Sequence, residues 1–481
     1  SLKTSSHYEK MVAEIFRNYE RFLIRDHAFD FDDLLLKTAE LLRNHPEIRK
    51  EYQDRFHYIH VDEYQDTNAV QYEITKLLTG QRKNICVVGD SDQNIYSWRG
   101  ANLKNILNFE RDYPGAHVVL LEENYRSTKT ILEAANAIIK KNSVRKEKNL
   151  FTENMQGDPI VITECYDEVL EAESIARTIE SLAKDGVTFE EIAVLYRANF
   201  QSRVLEEALL SRQIPYQVLG TKFFDRKEIK DVLSYIRAAL NKESLGDIKR
   251  IINVPARGLG KVTVTKLLSG KMSELTPATQ KKIQGFYTLL DTIAKYLHNH
   301  MPSETIKFVL KETGLEETLA QGSSDDIERL ENMKELATVA LSYDSYGPTE
   351  GIERLLENAS LAGEQDSLLQ NKEGGVRLMT VHASKGLEFD HVFITGLEQD
   401  LFPHKRDTKR SLEDQEEERR LFYVALTRAR VALHLSYASI RTLYGQRMIS
   451  TPSEFLYDIP EELTEKTIAV KEDGGYTIFL D

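Results

Sequence analysis

Two apolar stretches that stop abruptly on carboxylates, "YIHVDE" (Tyr58 to Glu63) and "NICVVGD" (Asn84 to Asp90), constrain the fold of this 481-residue chain more than any other feature. Short apolar runs ending in polar residues are what a parallel sheet covered by helices demands, because its strands are buried on both faces. The pattern recurs in "HVVLLEENY", "PIVITECYDE", "IAVLYRA", "VRLMTV", "HVFITG" and "VALHLSYA". Helical spacing separates these runs, as in "YEKMVAEIFRNYERFLIRD", "AVQYEITKLLTG" and "EAESIARTIESLAKDG". From about Asp225 to Lys372 strand signals nearly vanish, and "EIKDVLSYIRAAL", "GFYTLLDTIAKYLHN" and "IERLENMKELATVALS" predict successive helices. The expected class is α/β, with a helical block interrupting a second α/β domain. At about 100–200 residues per domain the length allows roughly two to four domains.

Composition narrows the environment. No apolar run approaches the roughly 18 residues of a membrane span, and nothing at the start resembles a signal peptide. The chain opens on Ser1, which suggests a processed, engineered or truncated beginning. Cys86 and Cys165 are far apart without metal-ligand neighbours, which fits a reducing, cytoplasmic setting. A net charge of −14 argues against a protein that merely coats nucleic acid, while leaving room for local basic grooves.

The residues that carry chemistry cluster at the C-terminal ends of the predicted strands, where open α/β sheets bind ligands. Asp62 suits a magnesium ion and Glu63 a base that deprotonates an attacking water, two roles that phosphoryl transfer needs; an acidic turn is the plainer reading. A magnesium–nucleotide site normally also has a GxxxxGK[ST] loop. The sequence holds none, and "GLGKVT" (Gly258 to Thr263) comes nearest. Gln93 follows the next strand and is placed to meet a γ-phosphate. Trp98 stands in a polar loop beside Arg99, where base stacking and core packing are both open. Tyr125 and Arg126 end another run, Arg126 within reach of a phosphate or simply a surface charge. "MTVHASKGLEFDHVFITG" gathers Thr380, His382, Ser384, Lys385 and Glu388 in one strand-to-turn element, either a phosphate or DNA-backbone loop or a solvated turn. His382 lacks a partner at metal-ligand spacing, which argues against zinc. "EEERRLFYVALTRAR" is expected to put Arg420, Tyr423, Thr427 and Arg428 on one helix.

In order and wording, "FDFDDLL", "VDEYQDTN", "VVGDSDQNIYSWRGA", "LEENYRS", "LYRANFQSR", "TVHASKGLEF" and "EEERRLFYVALTRAR" closely resemble the UvrD/Rep/PcrA family of superfamily 1A DNA helicases, from about Phe29 to Pro460. The resemblance implies two RecA-like P-loop NTPase-type motor domains with ATP and Mg²⁺ between them, and 3′-to-5′ movement on single-stranded DNA in repair or replication. It implies a remnant of a first helical insert (1–27), a first motor domain (28–123), a second in two segments (124–224 and 373–460) around a helical insert (225–372), and a C-terminal tail (461–481). Carried over, Asp62 is the magnesium ligand, Glu63 the base and Gln93 the γ-phosphate sensor. Arg126 and Arg428 are the arginines that stabilise the transition state, Tyr125 stacks on adenine and Glu388 binds ribose. Tyr96, Trp98, Arg99, Asn199, Arg203, His382 and Lys385 meet DNA, and Gly258, Gly260 and Lys261 form a hairpin on duplex backbone. Expected partners are single-stranded DNA, its junctions with duplex, and repair or replication proteins, with a monomer or weak dimer and no membrane.

Family members carry the phosphate loop in an N-terminal stretch of the first motor domain, so the chain resembles the C-terminal three quarters of a helicase and is not expected to hydrolyse ATP alone. Two alternatives stand beside this: the helicase part of a recombination helicase–nuclease, and a DNA- or partner-binding module without turnover.

Overall fold

Ile192–Tyr196 is buried at all five positions, and only a strand flanked by neighbours and covered on both faces meets that condition. The computed structural model, which describes residues 7–369, 374–404 and 411–470, makes it an interior strand of a seven-stranded parallel sheet. Numbered along the chain, the strands are β1 (Ile59–Val61), β2 (Ile85–Val87), β3 (Ile160–Cys165), β4 (Ile192–Tyr196), β5 (Tyr216–Val218), β6 (Val376–Thr380), β7 (Phe389–Ile394), β8 (Ala429–Ala438), β9 (Ile440–Leu443), β10 (Gln446–Ile449) and β11 (Thr464–Ile468). The large sheet has the order β11-β3-β8-β7-β4-β6-β5, and β9 and β10 form a separate antiparallel hairpin.

Two compact units divide the chain. The first runs to Leu120 and takes in Val144–Glu147; the second comprises Leu121–Ser143 and the chain from Lys148 onward. In the first unit β1 and β2 pair in parallel, Val61 opposite Val87, so both strands end together. The helix Ala69–Thr79 between them starts on a capping box, in which the Asn68 side chain takes the Gln71 N–H and Gln71 returns a bond to the Asn68 N–H. "HVVLLEENY" forms no strand beyond a single bridge from Glu123 to Phe151; Val119 and Leu121 are 66% and 80% exposed, so the apolar run has no ladder neighbour among the described residues.

In the second unit Ile192, Val194 and Tyr196 point to one face and pack with the helices Glu168–Lys184 and Ser202–Ser211. The helix Lys129–Ile139 lies along the helix Leu412–Leu426, and both touch β8. Between β5 and β6, which are neighbours in the sheet, the described residues form only helices and turns, from Lys227–Leu240 to Pro348–Leu369. This block has its own core, including Ile236, Phe286, Leu290, Ile306, Leu336 and Ile352. It leaves and rejoins the sheet at adjacent positions, so the sheet closes beneath it without a gap. Two sequence expectations change here. Thr464–Ile468, read as tail, is an edge strand paired in parallel with β3. The helix beginning at Leu412 ends at Leu426, so Thr427 caps it and Arg428 lies in the turn before β8 rather than on the helix.

Candidate nucleotide and DNA site

Asp62 and Glu63 leave the end of β1 exposed to solvent, and Glu63 has left-handed backbone angles, φ 49° and ψ 43°. That conformation costs a non-glycine residue on the order of 1–2 kcal/mol. It is held by its surroundings. The Glu63 N–H donates to the Asp62 carboxylate at 2.8 Å, and the Tyr64 N–H donates to the Val88 carbonyl at 2.9 Å. Such outliers concentrate where function needs a side chain aimed against the run of the backbone.

A hydrogen-bonded chain links this carboxylate to the end of β2. Gln65, fully buried, donates its amide to Glu63 at 2.5 Å and accepts the Asp90 N–H at 3.0 Å. The Asp90 carboxylate then accepts the Gln93 amide at 2.9 Å and the Asp92 N–H at 2.9 Å. Glu63 and Gln93, named from the sequence, therefore share one network. Gln65 and Asp90, which connect them, were not named; their signal is a polar residue placed directly behind each strand end, visible only once the two ends are known to be neighbours. Next along the chain, the Tyr96 and Trp98 rings lie 6.4 Å apart and tilted, with the Arg99 guanidinium 4.5 Å from the Trp98 ring centre. Trp98 is half-buried in a small aromatic–cationic cluster.

The second unit gathers three distant segments at one corner of its sheet. Arg126 donates to the Glu388 carboxylate at 2.6 Å and to the Thr427 carbonyl at 3.1 Å, and the Ser127 hydroxyl donates to the Ala429 carbonyl at 2.7 Å. The Arg126 bond holds the Glu388 carboxyl below the usual carboxylate range. With side chains 30% and 47% exposed, the pair contributes orientation more than stability. Tyr125 beside it is 79% exposed, its hydroxyl on Glu123 at 2.8 Å. Arg428 differs: it is 2% exposed, and its guanidinium donates to the carbonyls of Val424 (2.9 Å) and Leu387 (3.1 Å) and to the Thr427 hydroxyl (3.1 Å).

The residues expected on DNA are dispersed. His382 and Lys385 form a turn after β6. The Asn199 side chain donates to Glu328. Arg203 turns inward, 9% exposed, to Glu207 at 3.0 Å and Glu335 at 3.7 Å, and so offers little surface to a DNA backbone. Burial pushes the Glu335 carboxyl up to about 7 despite that arginine. Gly258, at φ 71°, and Gly260 lead into the helix Lys261–Leu268, while the Arg257 side chain folds back onto the carbonyls of Ile251, Val254 and Pro255.

Comparison with known proteins gives the family. Residues 1–114 match the UvrD/REP helicase N-terminal domain and residues 119–440 the UvrD-like helicase C-terminal domain. The chain belongs to the UvrD-like helicase family. It is 43% identical over 487 residues to the ATP-dependent DNA helicase PcrA of Staphylococcus aureus strain Mu50, covering 96% of this chain and 66% of that protein. To the PcrA of Staphylococcus epidermidis strain RP62A it is 42% identical over 489 residues, covering 98% of this chain and 67% of that protein. The chain thus spans about two thirds of the length of these family members. The solved C-terminal domain of a possible DNA helicase from Lactobacillus plantarum WCFS1 aligns with 72% of the chain at 12% identity and a TM-score of 0.29.

Proposed function

We propose that the protein carrying this chain is an ATP-dependent DNA helicase that moves 3′ to 5′ along single-stranded DNA, acting from the cytoplasm in repair or replication. The observation that carries the proposal is Glu63, held left-handed at the end of β1 and joined through Gln65 and Asp90 to Gln93. In this reading Glu63 accepts the proton of the attacking water and Gln93 senses the γ-phosphate. On the second unit Arg126 and Arg428 meet phosphate oxygens, Tyr125 stacks on adenine through its exposed ring, and Glu388 binds ribose. Arg428 must leave buried backbone carbonyls to reach phosphate, whereas Arg126, partly exposed, must turn from Glu388 and the Thr427 carbonyl.

The exposed Asp62 carboxylate, with Glu63 beside it, is a hard oxygen donor set of the kind Mg²⁺ takes, and Asp62 would hold the ion. When bound, Mg²⁺ neutralises charge on the phosphates. Tyr96, Trp98, Arg99, Asn199, His382 and Lys385 bind single-stranded DNA, and the loop of Gly258, Gly260 and Lys261 takes duplex backbone at a junction. Arg203, turned inward, supports the helical block of the second unit through Glu335.

Glu63→Gln preserves shape and removes the base. DNA-stimulated ATP turnover is expected to fall by about 10²–10⁴ with single-strand affinity retained. A loss of less than about tenfold would show that another group takes the proton.

A further inference from the structure

Four residues belong to the first unit although the chain on either side of them belongs to the second: Val144–Glu147. Two of them grip the turn that carries Gln93. The Arg145 guanidinium donates to both oxygens of Asp92, at 3.1 and 2.7 Å, with side chains 10% and 1% exposed. The next residue, Lys146, donates its N–H to the Ser91 hydroxyl at 3.3 Å and its ammonium to Glu110 at 2.7 Å. Ser91, Asp92 and Gln93 form one turn, which the Asp90 carboxylate holds from the other side through the Asp92 N–H and the Gln93 amide. A buried two-pronged arginine–carboxylate pair fixes direction as well as distance.

We propose that Arg145 is a positioning residue for ATP hydrolysis: through Asp92 it fixes the turn from which Gln93 reaches its target. The proposal rests on the role given above to Gln93. Arg145 does not touch the nucleotide in this account, so its loss should lower turnover without altering affinity.

The test measures kcat and KM for ATP with saturating single-stranded DNA, together with DNA affinity and thermal stability, in the protein carrying this chain. Arg145→Ala strands the buried Asp92 and is the variant most exposed to misfolding. Arg145→Lys keeps the charge and removes the two-pronged grip, and the pair Arg145→Gln with Asp92→Asn removes both charges together. For Arg145→Lys we expect kcat to fall at least about tenfold, the scale of a small misplacement in an active site, with KM for ATP and DNA affinity within about twofold. In a Gln93→Ala background Arg145→Lys should cost nothing further, because both act through one group. Full turnover in Arg145→Lys and in the neutral pair, alongside impaired Gln93→Ala, would overturn the positioning role. An additive loss in the double variant would do the same. Full turnover in Gln93→Ala would remove the underlying reading, and with it the route assigned to Arg145.

Discussion

Two arginines assigned the same chemistry occupy opposite environments, and this separates their mutants. Arg126 is partly exposed and bonded to another exposed side chain and to one backbone carbonyl, whereas Arg428 is buried on two backbone carbonyls and a hydroxyl. A transition-state arginine contributes about 10³–10⁵ in turnover. Arg126→Ala is therefore expected to lose turnover on that scale with an unchanged melting temperature. Arg428→Ala should lose turnover and also stability, by about 1–3 kcal/mol for each buried group left unpaired. DNA-stimulated ATPase and thermal melts on both variants check this. Equal stability losses would mean that Arg428 is not buried in solution as it is here. The sequence placed Arg126 at a strand end, Glu388 in a strand-to-turn element and Arg428 on a helix, but neither the contact between Arg126 and Glu388 nor the inward turn of Arg203 was legible, since both depend on segments more than 100 residues away.

At the scale of elements, the strands buried on both faces were legible because their apolar runs are unbroken: β4 has no polar position to confuse the pattern. The exceptions have physical causes. β11 reads "TEKTI", whose charged positions suit an edge strand half in water and look like tail. "HVVLLEENY" reads as a strand and stays exposed, because a strand needs a partner that no local pattern supplies. A second hidden feature joins three elements. Arg441 in β9 lies 2.5 Å from Glu171 on the helix Glu168–Lys184 and 2.5 Å from Glu398 after β7, all three within 3% exposure. The carboxylates also accept the N–H groups of Gly396 and Ala438 and the Ser436 hydroxyl. Arg441→Met leaves two buried carboxylates without their cation and is expected to cost about 3–5 kcal/mol in denaturant unfolding. A cost under about 1 kcal/mol would mean that water reaches the triad in solution.

For the whole molecule, the first unit sets Asp62, Glu63 and Gln93 behind the C-terminal ends of β1 and β2, whereas in the second Glu388 and Arg428 stand just before β7 and β8 rather than at strand C-terminal ends, and the helical block is inserted between neighbours β5 and β6 so that the sheet is not interrupted. The helical spacing of residues 225–372 revealed that block from sequence, and the return of apolar runs at "VRLMTV" revealed the sheet resuming. The activity proposed above requires that turnover be converted into strand separation with a direction. The measurement is displacement of a labelled strand by the protein carrying this chain, with Mg²⁺ and ATP, on duplexes bearing either a 3′ or a 5′ single-stranded tail. Unwinding of the 3′-tailed duplex alone, abolished by Glu63→Gln, is the predicted result. Absence of ATP-dependent unwinding of either duplex, or unwinding from the 5′ tail alone, would contradict it.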